Sequence, residues 1–465
     1  MANQKHQQPD PVPRRSGLLS LNELRGEVER AGVHTVMLAV PDMWGRLKGK
    51  RLNASVFLER MVSGSEACAY ILATDVAMTP MDGFELTGWG SGFGDLSVIP
   101  DHKAIRLLPY LPGVALFHAD VAHAEGQFVE IAPRQMLRAQ LDRLADLGLD
   151  VKVGLESEFV LYEGIEKQSL AVGYRGLQPV ADQNLDYALD HPPALTDFVE
   201  QLEGALRGAG APVESVKPES GGGQLEVTFP YGAALEACDA YTVYRHAVRH
   251  VAQRRSLRPS FMAAPQTGVG SGLHLHLSLE ADGLNRFAAS PDKKKLTETM
   301  QRAIAGLISG MPYLAPLYAP FPNSYKRYVP YSFAPTRFTW GHDNRSCAVR
   351  ITGHGAGRHL EVRLPGADAN PYLALAAALA AIHHGLTDRP ELPPPTEGDA
   401  YQSVGPLPIP RDLVEALTDF NGSKIARESF GEAVTRHYAH AAQHEIDVHR
   451  RQVTDVELER GLTHT

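Results

Sequence analysis

Four short segments of the chain carry carboxylate, imidazole or guanidinium groups at alternate positions. Glu156 and Glu158 lie in Val151–Phe159, Gln224, Glu226 and Thr228 in Gln224–Phe229, His274, His276 and Ser278 in Leu273–Leu279, and His359, Glu361 and Arg363 in His359–Leu364. The positions between them include Leu155 and Phe159, Leu225 and Val227, Leu273, Leu275, Leu277 and Leu279, and Leu360, Val362 and Leu364. Successive side chains of a β-strand point to opposite faces, so each segment reads as a strand with an apolar row and a polar row. Half-solvated strands alternate in this way without any function. Glu-x-Glu, His-x-His and Glu-x-Arg in one chain favour a site. In one antiparallel sheet with helices on the leucine side, these rows gather carboxylates, imidazoles and a guanidinium on the opposite side. Carboxylates that close raise one another's pKa unless cations compensate them. A donor set of mainly carboxylate oxygens, few imidazoles and no thiolates suits Mg²⁺ or Mn²⁺ better than zinc. Such ions commonly neutralise transferring phosphates.

The elements that must hold these strands are legible too. Ser20 and Glu23 form an S-x-x-E capping box that opens a helix to about Ala31. Val33–Val40 reads as a strand ended by Pro41, and the basic, glycine-punctuated Trp44–Arg51 suits a hairpin. From Ala132 the pattern turns helical, with Pro133 in the first turn, Met136, Leu137, Leu141 and Leu144 at helical spacing, and Gly148 as the stop. Asn370 and Pro371 cap an alanine- and leucine-rich helix, Arg389–Pro410 reads as a Pro- and Gly-rich loop, and the C-terminal segment is helical. These signals divide the chain into a tail (1–17), a β-rich N-terminal domain (18–126) and a larger domain (127–465).

Composition excludes several function classes. Of 465 residues, 43% are hydrophobic and 21% charged, which argues against disorder, and Lys+Arg 45 against Asp+Glu 54 leaves no basic nucleic-acid footprint. No apolar run approaches the ~20 residues of a membrane span, and the polar first residues show no signal segment, so a cytoplasmic protein is expected. Cys68, Cys238 and Cys347 are isolated and read as reduced thiols. His437, His440 and His444 lie at helical spacing and read as a solvated face, and Lys293 to Lys295 as a solvated loop. The Gly221–Gly223 run is no phosphate loop, because no Gly-Lys-Ser/Thr follows.

Six motifs occur in one order: Gly154-Leu-Glu-Ser-Glu-Phe159, Glu219-Ser-Gly-Gly-Gly-Gln-Leu-Glu226, Gly270-Ser-Gly-Leu-His-Leu-His-Leu-Ser278, Asn323-Ser-Tyr-Lys-Arg327, Asn344-Arg345, and Glu361-Val-Arg363 with Asn370-Pro371-Tyr372. Together they resemble the glutamine synthetase family from about residue 33 to 385. The resemblance implies an α+β protein with a small β-grasp-like N-terminal domain and a large catalytic domain whose curved antiparallel sheet is backed by helices. It also implies a homododecamer of two hexameric rings, in which one subunit's N-terminal domain closes its neighbour's site. Two or more Mg²⁺ (or Mn²⁺) ions per subunit are implied, with ATP as co-substrate. By the same resemblance Glu158, Glu219 and Glu226 hold the metal nearer the amino acid, and Glu156, His274 and Glu361 the metal on the nucleotide phosphates. Gly270, Arg327, Arg345 and Arg363 bind glutamate, with Arg345 and Arg363 catalytic, Arg345 by stabilising the transferring phosphoryl group, while Glu214, His276, Ser278 and Arg350 face ATP. ATP would convert the glutamate γ-carboxylate to an acyl phosphate, which an amine then attacks.

The sequence departs from a glutamine synthetase at the amine end. Phe333 stands where the family carries a flap glutamate that handles ammonium, Val269 replaces an asparagine, His359 replaces an arginine, and Asp75, Asp82 and Asp95 offer no unambiguous ammonium-site aspartate. An aromatic at the mouth suits a carbon-bearing amine. The pattern is similar to the γ-glutamylamide ligases of amine catabolism. Tyr331, Phe333 and Trp340 are amine-pocket candidates for a polyamine such as putrescine, cadaverine or spermidine. Ethanolamine is the first alternative, then ammonium, then a non-catalytic member of the fold. No nucleic-acid or membrane partner is expected.

Overall fold

The computed structural model describes residues 17–164, 167, 173–288 and 295–464. The expected tail therefore lies outside the described residues except for Gly17, whose carbonyl accepts from Leu107 N at 2.9 Å. Lys293 and Lys294 also fall outside, while Lys295 is exposed.

The first sheet is built from β1 (Leu18–Leu19), β2 (Thr35–Pro41), β3 (Leu47–Asn53), β4 (Ser65–Cys68), β5 (Asp95–Leu107) and β6 (Val114–Ala122) in the order β1-β5-β6-β2-β3, with β4 on β5. Its β2–β6 pairing is parallel and β2–β3 is the expected hairpin. Helix α1 (Leu21–Glu29) carries the capping box, with the Glu23 carboxylate accepting from Ser20 N at 2.6 Å.

The second sheet holds β7 (Asp150–Glu163), β8 (Ser215–Pro218), β9 (Gln224–Thr228), β10 (Gly232–Ala233), β11 (Leu257–Ser260), β12 (Leu273–Ala281), β13 (Leu284–Asn285), β14 (Trp340–His342), β15 (Val349–Thr352) and β16 (His359–Val362). The order is β14-β15-β16-β12-β7-β9-β8, with β10 and β11 on β7 and β13 on β12. The four strands picked out by alternation are thus consecutive neighbours, β16-β12-β7-β9, and all antiparallel. Leu273, Leu275, Leu277, Leu279, Leu360, Val362 and Val227 are fully buried. At ~1.5–3 kcal/mol per buried aliphatic side chain this row is what fixes the register. Helices α2 (Pro133–Ala145) and α4 (Ala234–Arg254) pack on β7, while α3 (Pro193–Gly208) packs on α4. Behind them α6 (Pro371–Thr387) packs on α2, α4 and α5 (Glu298–Gly310). The loop after α6 leads to α7 (Leu413–Gly422), α8 (Lys424–Phe430), α9 (Glu432–Arg450) and α10 (Asp455–His464).

Polar contacts lock the two sheets together. Asn370 caps α6 with its Oδ1 and donates from Nδ2 to the carbonyls of Asp42 and Met43 at 3.0 and 3.1 Å. Gly45, in the same turn, has φ +72°, and a Cβ there would lie 3.2 Å from Asn370 Cα. The buried Arg134 guanidinium of α2 bonds Asp101 of β5, Asp120 of β6 and Asp239 of α4 at 2.8–3.0 Å. Burial pushes Asp239 up, but Arg134, His118 and Tyr372 outweigh it and hold the carboxyl well below its ordinary range.

The histidines of α9 correct the sequence reading. His437 is buried, its ring 4.3 Å from that of Phe84 and its Nε2 donating to Leu72 O at 3.1 Å. His440 bonds the carbonyl of Asp82. Their helical spacing marks these residues as one polar face, but the segment between β4 and β5, with Leu72, Asp82 and Phe84, docks on that face and dries it.

Burial holds His437 neutral down to about pH 3, and His118, bonded to Thr242, down to about pH 4, against an ordinary 6.5. Between those values the unfolded chain binds protons that the folded chain refuses. Their contribution to stability is therefore full above pH 6.5 and is lost as pH falls, by up to ~1.4 kcal/mol per pH unit for each histidine. Unfolding followed from pH 5 to 7.5 should show this slope, and His437→Gln should reduce it by about one proton.

Candidate active site

On the face opposite the leucines the side chains converge as the strand registers dictate. His274 pairs with Glu156, His276 with Glu361, Glu158 with Glu226, and Arg350 with Glu361. All of these but His276 line a cavity of about 590 Å³. Glu156 accepts from His274 Nδ1 at 2.5 Å and meets His276 Nε2 at 3.3 Å. Glu361 is buried between Arg350, at 2.8 Å, and Arg363, with His274 Nδ1 at 3.6 Å. Two sets of ligand atoms lie within 4.8 Å of one another: Glu156, Glu158 and His274, and Glu156, His276 and Glu361. These sets divide the expected trio of Glu156, His274 and Glu361: His274 falls in the first, Glu361 with His276 in the second and Glu156 in both, while His274 Nδ1 faces both carboxylates.

The other expected trio is arranged differently. Glu158 accepts from Gln224 Nε2 at 3.1 Å and from Gly272 N at 2.9 Å. Glu219 and Glu226 instead share the ammonium of Lys217, which bonds Glu219 and lies 3.8 Å from Glu226. Lys217 also reaches Asp186 at 3.1 Å and sits 4.6 Å over the Tyr187 ring. These three residues are absent from the sequence expectations. A signal existed, because Ser215 and Lys217 share the polar row of β8 and Glu219 follows at the same period just beyond its end.

Electrostatics divide the carboxylates. Burial pushes Glu156 up, but His274 and His276 overcome it and hold the group well below the usual range. Burial opposes the charge of Glu361 as well, yet Arg363, His274 and His276 bring it to about 2. Glu226 goes the other way, pushed up to about 9 by burial and by the Glu156 charge, and burial also raises Glu158. One sheet face thus holds firmly ionised and protonatable carboxyls side by side.

The remaining expected residues sort into two sets. Gly270, Arg345, Arg350, Arg363, Tyr331 and Phe333 line the cavity. Arg327 is buried behind it, with Nη1 on the carbonyls of Arg363 and Leu364 and Nη2 3.3 Å from His274 Nε2, so it braces the wall. Glu214, His276 and Ser278 lie outside the lining; His276 is joined to it through Glu156. Trp340 is buried and donates to Pro393 O, so it is not an amine-pocket residue.

Residues 130–461 match the glutamine synthetase catalytic domain. The chain belongs to the glutamine synthetase family of carbon–nitrogen ligases. It is 40% identical, over 97% of both chains, to the gamma-glutamylethanolamide synthetase GlnA4 of Streptomyces coelicolor. It is 31% identical to a glutamate–isopropylamine ligase of a Pseudomonas species, covering 95% of this chain and 97% of the relative. Among solved structures it is similar to GmaS without ligand, with a TM-score of 0.82, 28% identity and coverage of 95% and 100%. Members of the family use ATP and a divalent metal, and the oxygen-rich clusters around Glu156 fit such an ion.

Two substitutions separate site from scaffold. Glu156→Gln should lower ADP release on the order of 100-fold with a near-unchanged unfolding midpoint. Glu361→Ala should also destabilise, by roughly 3–5 kcal/mol, because it leaves the buried Arg363 guanidinium without its carboxylate partner, whereas Arg350 keeps Asp343. ADP release and thermal unfolding of both variants check this; equal stability would remove Glu361 as the electrostatic anchor.

Proposed function

We propose that this protein joins the γ-carboxylate of glutamate to a small organic amine in an ATP-dependent reaction through γ-glutamyl phosphate. The observation that carries the reading is the pairing of a carboxylate–imidazole cluster with Arg345, Arg350 and Arg363 around one cavity, with aromatics rather than an acid at the amine end. Mg²⁺ or Mn²⁺ held by Glu156, Glu158, His274, His276 and Glu361 would offset phosphate charge. Arg345 is exposed in the cavity and free to follow a transferring phosphoryl group. Arg363 is fixed by Glu361 and by Phe333 O, a placement suited to a carboxylate substrate. Of the gripping residues implied by the family, Arg327 acts through His274.

The amine is the open choice within this reading. Asp186, Glu219 and Glu226, the cavity acids outside the carboxylate–imidazole cluster, already share Lys217 and leave little free charge for the second ammonium of a polyamine. This favours a monoamine of the ethanolamine class over a polyamine, in keeping with the name of the 40% identical relative. Phe333 and Tyr331 are 66% and 68% exposed and present apolar surface to the carbon chain. A single division near residue 127 between N-terminal and catalytic domains, and a ring homododecamer, belong to the same proposal.

Each amine assayed alone with ATP, glutamate and Mg²⁺, with the amide identified by mass, tests the assignment. Ethanolamine should exceed putrescine, and both should exceed ammonium. Phe333→Ala should lower kcat/KM for the organic amines about 2- to 30-fold, the range of a lost cation–aromatic contact, and leave ammonium unchanged. Glutamine formation faster than every organic amide would overturn the amine preference.

A further inference from the structure

Lys217 occupies an unusual position for a cation in this site. Its ammonium bonds Glu219, lies 3.8 Å from Glu226 and 3.1 Å from Asp186, and faces the Tyr187 ring at 4.6 Å. Glu219 and Glu226 are two of the three carboxylates that the family resemblance implies for one metal, and among the described residues they appear in neither cluster of converging ligand atoms. A divalent ion and an ammonium cannot both sit between the same two carboxylates, because close cations repel and the oxygen lone pairs are shared. Asp186 offers the ammonium a second seat. It is more exposed than the other two acids, at 38% against 21% and 16%, and so can take the charge without a further desolvation cost.

We propose that Lys217 is a tethered cation that competes with a divalent ion for Glu219 and Glu226, and that ion entry transfers its ammonium to Asp186. The segment that carries Asp186 also carries Tyr187, and both line the cavity. Metal loading is thereby coupled to the wall beside the amine. A chain with methionine at 217 would load metal more readily and lose this coupling. The proposal rests on the ligase reading only for the presence of a divalent ion.

Calorimetric titration of the intact oligomer with Mn²⁺, without substrates, tests it apart from catalysis. Lys217→Met should tighten one class of site at least ~10-fold or reveal an added one, and Lys217→Gln should do the same, while Lys217→Arg should not. Asp186→Asn should weaken Mn²⁺ in the wild-type background and have little effect in the Lys217→Met background, since the ammonium then needs no second seat. Isotherms for both neutral variants matching the wild type would overturn the proposal. So would an equal Asp186→Asn effect in both backgrounds, which is the signature of plain through-space charge. Thermal unfolding of each variant guards against misfolding. A protein that behaves as expected with Mn²⁺ but forms no amide would remove the ligase reading and leave this one.

Discussion

The constraint on which the structure depends is the crowding of carboxylates on one face of one sheet. Glu156 and Glu158 lie on β7, Glu226 on the adjacent β9 and Glu361 on β16, one strand beyond β12, so strand spacing alone brings them together. Left bare, such a cluster would open the sheet. Each acid instead has its own answer: imidazoles for Glu156, guanidiniums for Glu361, amides for Glu158, and one ammonium shared by Glu219 and Glu226. The opposing leucine row makes the arrangement affordable, because a slip by one residue would bury the charges and expose the leucines. Site and core are two faces of one alternating pattern.

That shared origin explains what was legible in the sequence. Period-two alternation in Leu273–Leu279 announces both the buried face and the His274/His276 face, and caps such as Ser20 with Glu23 and Asn370 with Pro371 mark helix starts from local residues alone. Contacts between distant segments were not legible. Arg134 reads as a surface residue of an amphipathic helix, yet its carboxylate partners lie as far off as Asp239, and His437 is dried by Leu72 and Phe84 from the other end of the chain. Lys217 is unmarked in the sequence for a smaller reason. The polar row of β8 is short and ends in Pro218, so its alternation is too brief to stand out, and only pairing with β9 sets Lys217 opposite Glu226.

The buried polar junction between the two sheets also bears on function. Arg134 is held by three carboxylates from β5, β6 and α4, and Asn370 ties α6 to the turn at Asp42 and Met43. Breaking a buried pair of this kind costs several kcal/mol. The N-terminal sheet is therefore a rigid extension of the catalytic sheet, and the adjustable parts of the site must be sought in the segments over the cavity.

The aromatic segment at the cavity mouth is one of these, and its backbone shows that it is held against its own preference. Tyr331 and Phe333 have φ of +65° and +59°, a region that disfavours residues with a Cβ by roughly 1–2 kcal/mol each. Four contacts oppose the strain: Gln402 donates to Tyr331 Oη at 2.8 Å, Tyr401 to Ala334 O at 3.2 Å, Arg363 to Phe333 O at 3.3 Å, and Ser332 to Val329 O at 2.6 Å. Arg363 is the informative one, because the same guanidinium is fixed by Glu361 on the sheet. The aromatic wall is thus hung from the electrostatic anchor of the site. Whatever resets the charge around Glu361 acts, through Arg363, on the aromatic surface at the cavity mouth.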